Sequence, residues 1–129
     1  MVLLFRGLSM YDELRTQGLL KNIRKYCNEA KKEYKALNSS DEFIANMAYK
    51  ALGIDIIQIG ENVNKLLKVY PDIKKSEPGI KWTDIVGMRN LVVHDYDGVN
   101  RNEIIEVAEK DIPELHKAVN RVMKKVQNW

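Results

Sequence analysis

The chain has one cysteine, three prolines and no recognised metal-binding motif among its 129 residues. A single cysteine excludes an intramolecular disulfide framework, and Cys27 falls on an apolar helical stripe, where a buried thiol is expected. The sequence also contains no CxxC or HExxH motif, no carboxylate cluster with metal-ligand spacing and no glycine-rich phosphate loop. We therefore expect neither a metal nor another cofactor.

Long apolar runs and a strong excess of basic residues are missing as well. Residues 1–5 are apolar, but Arg6 interrupts them before they reach the length of a signal-peptide core or a membrane span. The cytoplasm is therefore the expected location. The 21 basic and 18 acidic residues give a net charge of +3, which permits contact with RNA but does not by itself indicate a nucleic-acid-binding domain.

Helical periodicity, by contrast, runs along most of the chain. Apolar residues recur at three- and four-residue steps over residues 9–37. Ser39 and Glu42 form a capping box that starts a second pattern, and a Tyr-Pro sequence stops this pattern after residue 69. Gly53 and Gly60 weaken the second helix, so we expect another helix to pack closely there.

The predicted core of these two helices follows the same spacing. The apolar stripe comprises Leu14, Leu20, Ile23, Cys27, Ala30, Tyr34 and Leu37 in the first helix, and Phe43, Met47, Ala51, Ile54, Ile59, Val63, Leu66 and Leu67 in the second. The opposite face of the first helix is basic and includes Lys31 and Lys35. Such a face is more often solvated than an RNA track.

Two further helices are predicted in the second half. A loop over residues 76–79 leads to a helix capped by Thr83 or Asp84, and Asn100 starts the last helix. Pro113 should kink that last helix or mark a fresh first turn. The predicted fold is all-α, a single up-and-down bundle of four or five helices that forms one domain over residues 1–129.

Residues 88–96 carry the most informative pattern. On a helical wheel, Arg89 lies at the centre of an apolar face. Its flanking residues are Ile85, Val86, Val92 and Val93. Burying an unpaired cation costs several kcal/mol, so Arg89 needs an anionic partner. Two kinds of partner fit: a carboxylate of the chain, with Glu61 or Asp55 as candidates, or a phosphate received in a cleft.

His94 follows Arg89 by five positions, about 140° around a regular helix and roughly 7 Å along its axis. The two side chains therefore do not share a face of one intact helix. Either the helix ends near His94, or a second copy of the chain completes the site. The Tyr-Asp-Gly sequence at residues 96–98 favours a helix end, because glycine accepts the left-handed conformation.

Arg89, Asn90, three apolar residues, His94, one further residue and Tyr96 together resemble the signature of the HEPN superfamily in its HepT-like toxin branch. Other stretches are similar to that branch in the same order: residues 59–64, 70–73, 82–90 and 111–115. The resemblance covers about residues 11 to 120. Since this pattern begins near Tyr11, Met10 is a candidate natural start, with residues 1–9 an added leader.

The resemblance implies a dimeric helical protein that acts as a metal-independent endoribonuclease, the toxin of a toxin-antitoxin pair. It places Arg89 and His94 in the catalytic site at the dimer interface, with Asn90 in a supporting position. Glu61 is a second supporting residue on other grounds, because residues 60–62 can face the motif helix and make Glu61 a candidate partner of Arg89. The implied antitoxin is a minimal nucleotidyltransferase of the MntA type, which neutralises the toxin by adding AMP units to the motif tyrosine, here Tyr96.

The chemistry of RNA cleavage suits these residue types. The 2′-hydroxyl of RNA is the nucleophile, so the enzyme supplies a proton acceptor, a proton donor and groups that stabilise charge on the phosphate. One motif contains one histidine, whereas two motifs across a two-fold axis provide two. A second class of function stays open: a non-catalytic module that uses the same arginine and histidine to bind a nucleotide, RNA or a protein partner.

Overall fold

The computed structural model describes residues 8–129, and within that range the chain is helical and has no β-strand. The helices in chain order are α1 (Met10–Ala36), α2 (Glu42–Val69), α3 (Ile73–Ser76), α4 (Trp82–Val93), α5 (Arg101–Glu106) and α6 (Ile112–Val126). A 3₁₀ turn, Tyr96–Gly98, follows α4, and a π-helical turn, Val107–Asp111, joins α5 to α6.

These elements confirm the predicted helical bundle, because α5, the π-helical turn and α6 run on without a break and count as the fifth helix. None of the helices within residues 8–129 is both long and apolar enough to cross a membrane. The expectation of an added leader falls mainly on residues 1–7, which lie outside the described residues.

The starts of α1 and α2 are set by side-chain caps. Ser9 Oγ accepts a hydrogen bond of 3.0 Å from the backbone N–H of Asp12, which fixes the first turn of α1. At α2 the predicted capping box is wrong, because Asp41 is the cap and its carboxylate accepts from the N–H of Phe43 at 2.9 Å. Ser39 lies too early and accepts instead from the N–H of Asp41.

The central helix of the bundle is α2, which packs against α1 and against α4. A Cβ atom at Gly60 would lie 3.4 Å from the carbonyl oxygens of Ile85 and Val86 in α4, and one at Gly53 would lie 3.0 Å from Val92 Cγ1. The predicted close approach of another helix at these two glycines is therefore confirmed, and it brings the motif helix directly onto α2.

The core runs through α1, α2 and α6 and contains Leu20, Ile23, Cys27, Leu52, Ile56, Ile59, Val63, Leu66, Leu115, Val119 and Val122, all at most 1% exposed. Four residues predicted for this core are exposed instead: Leu14, Phe43, Met47 and Ile54. The error has a physical reason in α2. That helix is apolar on two sides, so spacing alone does not tell which side faces its own chain.

The start of α4 is also different from the prediction, since no side chain caps it and both Thr83 and Asp84 lie inside its first turn. The indole of Trp82 fixes this end of the helix, because it is buried and its N–H donates to the carbonyl oxygen of Glu77 at 3.1 Å. The buried Glu77 carboxylate in turn pairs with Arg121 of α6 at 2.7 Å, which lowers the pKa of Glu77.

The last helical segment follows the sequence closely. Asn100 occupies the N-cap position of α5, as predicted. Pro113 lies in the first turn of α6, directly after the π-helical turn, so it marks a fresh first turn as one of the two predicted outcomes. Proline lacks a backbone N–H and cannot donate the next hydrogen bond of a continuing α-helix, which explains why the turn widens before it.

A pair of carboxyl groups lies between α1 and α2. Asp55 is 5% exposed, and Glu33 lies beside it. Burial, a hydrogen bond to Asp55 and the charges of Asp55 and Glu29 raise the pKa of Glu33 to about 8. Burial is also the main reason that the pKa of Asp55 is raised. Glu33 therefore keeps its proton near neutral pH in the folded chain.

Substitution of Glu33 by glutamine should reduce the pH dependence of folding stability. An unfolded glutamate ionises near pH 4.3, so the folded state holds the extra proton between that pH and about 8, and wild-type stability falls as pH rises through this window. Glutamine stays neutral in both states. We expect Glu33→Gln to be more stable by about 1 kcal/mol at pH 8, with little difference at pH 4.5.

Urea denaturation at a series of pH values measures this effect. The control is Glu103→Gln, because Glu103 is exposed in the first turn of α5 and its replacement should leave the wild-type slope. An equal slope in Glu33→Gln and in the wild type would show that the carboxyl pair is not protonated as described.

Candidate active site

Arg89 lies on the side of α4 that faces α2, at the edge of the contact between the two helices. The buried residues of α4 are Trp82, Ile85 and Met88. A Cβ atom at Gly60 would be 3.8 Å from the Cβ of Arg89, so the stem of Arg89 packs against α2 while its side chain is 48% exposed. The expectation of a buried guanidinium is therefore wrong for the single chain.

The anionic neighbour of Arg89 is Glu61. Arg89 Nε lies 3.8 Å from Glu61 Oε1, and both side chains are about half exposed. Asp55, the other predicted candidate, is buried beside Glu33 instead. An exposed pair at this distance contributes at most about 1 kcal/mol, so Arg89 stays available to a stronger anion.

His94 occupies the C-cap of α4, where its backbone N–H donates to the carbonyl oxygen of Asn90 at 3.0 Å. The helix end expected near His94 is confirmed. Asp97 and Gly98 then have positive φ angles of 55° and 75°, which reverse the chain after the motif. The imidazole is exposed, and its ring centre lies 6.0 Å from that of Tyr96.

The structure thus groups the motif residues in two pairs. Arg89 lies with Glu61, and His94 lies with Tyr96, whereas no hydrogen bond joins Arg89 to His94 within residues 8–129. The Asn90 side chain is exposed between them. One chain therefore presents all of these groups to solvent around the C-terminal half of α4 without closing them into a single site.

A hydrogen-bond network that the sequence did not reveal fixes the segment after His94. Asp95 accepts from the Tyr49 hydroxyl at 2.5 Å and from the backbone N–H of Asn100 at 2.8 Å. The Asn100 amide donates to the carbonyl oxygens of Leu91 and His94. Burial, and then Asp95, raise the pKa of Tyr49, so its hydroxyl remains a donor. This network holds the end of α4 against the first third of α2.

Sequence signals for this network were weak, because only Asp95 lies within the motif. Asn100 was predicted to start a helix, which it does, but its side chain binds back to the end of α4 instead of capping α5. Nothing near Tyr49 in the sequence indicates its contact with Asp95, which is 46 positions away.

Large apolar side chains surround the motif on the outside of the bundle. We call this surface the apolar face, and its members are Phe43, Met47, Ile54, Val93, Tyr96 and Val99. Phe43 is 71% exposed and Ile54 is 62% exposed. Phe43, Met47 and Ile54 lie on one side of α2 at helical spacing, and the others come from the end of α4 and the turn after it. Clustered exposure of this kind marks an interaction surface.

The chemical capacity of the site follows from these groups. A guanidinium offers two parallel N–H donors that fit phosphate oxygens, and an imidazole can accept or donate a proton near neutral pH. No group of three or more histidine, cysteine, aspartate or glutamate side chains that could hold a metal ion occurs in the described part of the chain.

Comparison with known proteins agrees with the motif. The family model described as ribonuclease HepT-like matches residues 23–122, which include α4, His94 and the whole of the core helix α2. No solved structure gave a significant match.

Among curated relatives, two come from Methanocaldococcus jannaschii. "Putative RNase MJ1216" is 34% identical over 88 residues, which cover 67% of this chain and 70% of that protein. "Putative RNase MJ0125" is 35% identical over 88 residues, covering 67% and 73%. "Putative RNase TTE0752" of Caldanaerobacter subterraneus is 39% identical over 67 residues, covering 52% and 57%.

The matched region spans most of the described helices and contains every residue of the sequence motif. The enzyme class expected from the sequence, a ribonuclease, is confirmed at the level of the family. The chain belongs to the HepT-like ribonuclease family.

Proposed function

We propose that this protein is a metal-independent endoribonuclease toxin, in which Arg89 and His94 of two identical chains form one composite site. The observation that carries the proposal is that both side chains are exposed next to members of the apolar face, since His94 lies between Val93 and Tyr96 in the chain and Arg89 lies one helical turn before Val93. Asn90 and Glu61 are the proposed supporting residues: Asn90 is exposed next to Arg89 in the chain, and Glu61, 3.8 Å from Arg89, holds the guanidinium until a phosphate displaces it. The substrate is cellular RNA, for which the cytoplasm is the expected location.

The reaction is a transesterification. The RNA 2′-oxygen attacks the adjacent phosphorus, the bond from phosphorus to the 5′-oxygen breaks, and the products are a 2′,3′-cyclic phosphate and a 5′-hydroxyl. One His94 accepts the proton of the 2′-hydroxyl, and a second donates a proton to the leaving 5′-oxygen. The Arg89 guanidinium stabilises the negative charge that builds up on the phosphate oxygens.

A second chain supplies what one chain lacks. A single motif has one histidine, and Arg89 and His94 are separated by roughly 7 Å along α4. A two-fold dimer through the apolar face covers exposed apolar surface and brings two motifs together. The dimer therefore accounts both for the surface and for the second proton-transfer group.

Tyr96 is the proposed site of the modification that inhibits RNA cleavage. Its side chain is 69% exposed, and its ring contacts that of His94. A nucleotidyltransferase antitoxin that uses ATP would join the Tyr96 oxygen to the α-phosphorus and release pyrophosphate. The added AMP would place a bulky anion beside His94 and compete with RNA for Arg89.

The experiment is a cleavage assay with purified protein and a labelled RNA oligonucleotide in the presence of EDTA. We expect cleavage that leaves 2′,3′-cyclic phosphate ends, because the 2′-oxygen is the nucleophile. The matched substrate carries 2′-deoxyribose at the cleaved position and should stay intact. Cleavage of the deoxy substrate, or dependence on a divalent cation, would contradict the proposed mechanism.

A second part of this assay tests whether AMP addition to Tyr96 inhibits RNA cleavage. Protein incubated first with ATP and a minimal nucleotidyltransferase of the MntA type should gain the mass of one or more AMP units and lose RNA cleavage. Tyr96→Phe should keep its cleavage and gain no mass. An AMP adduct on another residue, found by peptide mass spectrometry, would move the control site elsewhere.

A further inference from the structure

A shallow groove opens next to Arg89 on the outside of α2. Its cavity volume is about 300 Å³, and its charged lining residues are Glu61, Lys65, Lys68 and Arg89. The groove continues the side of α2 that carries Ile54, so the same helix face changes from apolar to basic toward its C-terminal end. It therefore leads away from the proposed dimer contact.

The lysines of this groove are not neutralised by the chain itself. Within residues 8–129, neither Lys65 nor Lys68 has a carboxylate within 4.0 Å, and both are exposed. Three cations and one carboxylate leave a local excess of positive charge. Glu61 and Lys68 are seven positions apart, so the charges extend over about 10 Å of helix, more than a single phosphate needs.

Glu61 is the one carboxylate among the charged residues that line this groove. It lies 3.8 Å from Arg89, too far for a hydrogen bond, and both groups remain hydrated. A phosphate that binds Arg89 gains charge-assisted hydrogen bonds that this carboxylate does not make. Glu61 is thus a weak occupant that an RNA phosphate can displace.

We infer that the groove of Lys65, Lys68 and Arg89 is a backbone subsite for RNA, in which the lysines hold a phosphate next to the one that is cleaved. The inference rests on the proposed function, since it extends the site around Arg89. Contacts to phosphate carry no base preference, so the subsite strengthens binding and sets the path of the strand without selecting its sequence.

Two other cavities serve as comparisons, because they distinguish a specific effect of this groove from a general effect of surface charge. One, of about 310 Å³, has three carboxylates, Asp84, Asp111 and Glu114, and one lysine, Lys81, in its lining, so its net negative charge disfavours phosphate. The other, of about 430 Å³, lies between α1 and α6 and carries Lys31 and Lys35 on its rim. That second cavity is basic but contains no motif residue, which makes its lysines matched controls.

The experiment compares the double variants Lys65→Gln/Lys68→Gln and Lys31→Gln/Lys35→Gln with the wild type. For the groove variant we expect KM for an RNA oligonucleotide to rise about tenfold while kcat changes less than about twofold. The dependence of log KM on log salt should weaken by about 0.7, because the contact with one phosphate of a single strand is lost. The variant with changes at Lys31 and Lys35 should match the wild type.

The variant Glu61→Gln should change KM in the opposite direction from the lysine variant. Removal of the Glu61 carboxylate should lower KM, because this carboxylate then no longer competes with the RNA phosphate for Arg89. RNA binding is also measured by fluorescence anisotropy in the His94→Ala background, so that binding is followed even without cleavage. If the wild type cuts no RNA, the proposed function fails. If it cuts RNA and both lysine pairs affect KM equally, or neither does, the subsite is overturned.

Discussion

Substitution of His94 by alanine should lower kcat/KM for RNA cleavage by about 10²–10⁴-fold, because each composite site then loses both of its proton-transfer groups. The imidazole is exposed and its contact with Tyr96 is a ring contact at 6.0 Å, so its removal should not disturb the fold. The measurement is initial-rate cleavage of a labelled oligonucleotide. The thermal midpoint and RNA affinity of the variant should stay close to those of the wild type.

Arg89→Ala should lower kcat/KM for RNA cleavage by about 10²–10³-fold, because the guanidinium no longer stabilises the negative charge on the phosphate. The two variants are separated by their pH profiles. Arg89→Ala should keep the shape of the wild-type profile, whereas the residual activity of His94→Ala should lose it. The control is Arg15→Ala, which changes an exposed arginine on α1 and should cleave like the wild type.

For His94→Ala, a cleavage rate within about tenfold of the wild-type rate would exclude His94 as the proton-transfer group.

Local pattern was enough to predict the helices and the end of the motif helix. Spacing, the Tyr-Pro stop and Pro113 depend on residues close together in the chain, and all three match the structure. Arg89 and His94 stand out locally, as an arginine in an apolar run followed by a histidine near a helix end, but their catalytic role is what the resemblance to HepT-like proteins implies. Gly53 and Gly60 likewise predicted the close contact with α4.

Which face of a helix is covered could not be predicted in the same way. The helical wheel placed Arg89 at the centre of an apolar face and the apolar stripe placed Ile54 in the core, yet in the single chain Arg89 is about half exposed and Ile54 is 62% exposed. A helix that is apolar on two sides buries one side against its own chain, and the periodicity is the same for either choice. Three of the four wrong core assignments, Phe43, Met47 and Ile54, fall on the apolar face and are explained together if a second chain covers that surface, whereas the fourth, Leu14, lies outside it.

Long-range polar contacts were the other part that the sequence could not supply. Asp95 binds Tyr49 across 46 positions, and the contact depends on how α4 crosses α2. The cap of α2 shows the same limit at short range, because Ser39 and Asp41 both fit an N-cap and only the backbone conformation selects Asp41.

The second large effect is expected at the apolar face, where Ile54→Glu should break the proposed dimer and with it the proposed composite site. Ile54 is 62% exposed in one chain, so glutamate is tolerated there in the monomer and suits a helix. In a two-fold dimer the change occurs twice, and each new carboxylate would lose water without gaining a partner. We expect the dimer dissociation constant to rise at least about 100-fold, and cleavage to fall with the dimer concentration.

Sedimentation equilibrium and cleavage rates measured over the same range of protein concentration test this directly. Leu14→Glu is the matched control, because Leu14 is just as exposed but lies near the start of α1, outside the apolar face. That variant should remain dimeric and active. If Ile54→Glu is monomeric and still cleaves RNA at the wild-type rate, each chain holds a complete site, and a second proton-transfer group must come from the same motif. A wild type that is monomeric and fully active leads to the same conclusion, since the apolar face then plays no part in bringing two His94 side chains to one phosphate.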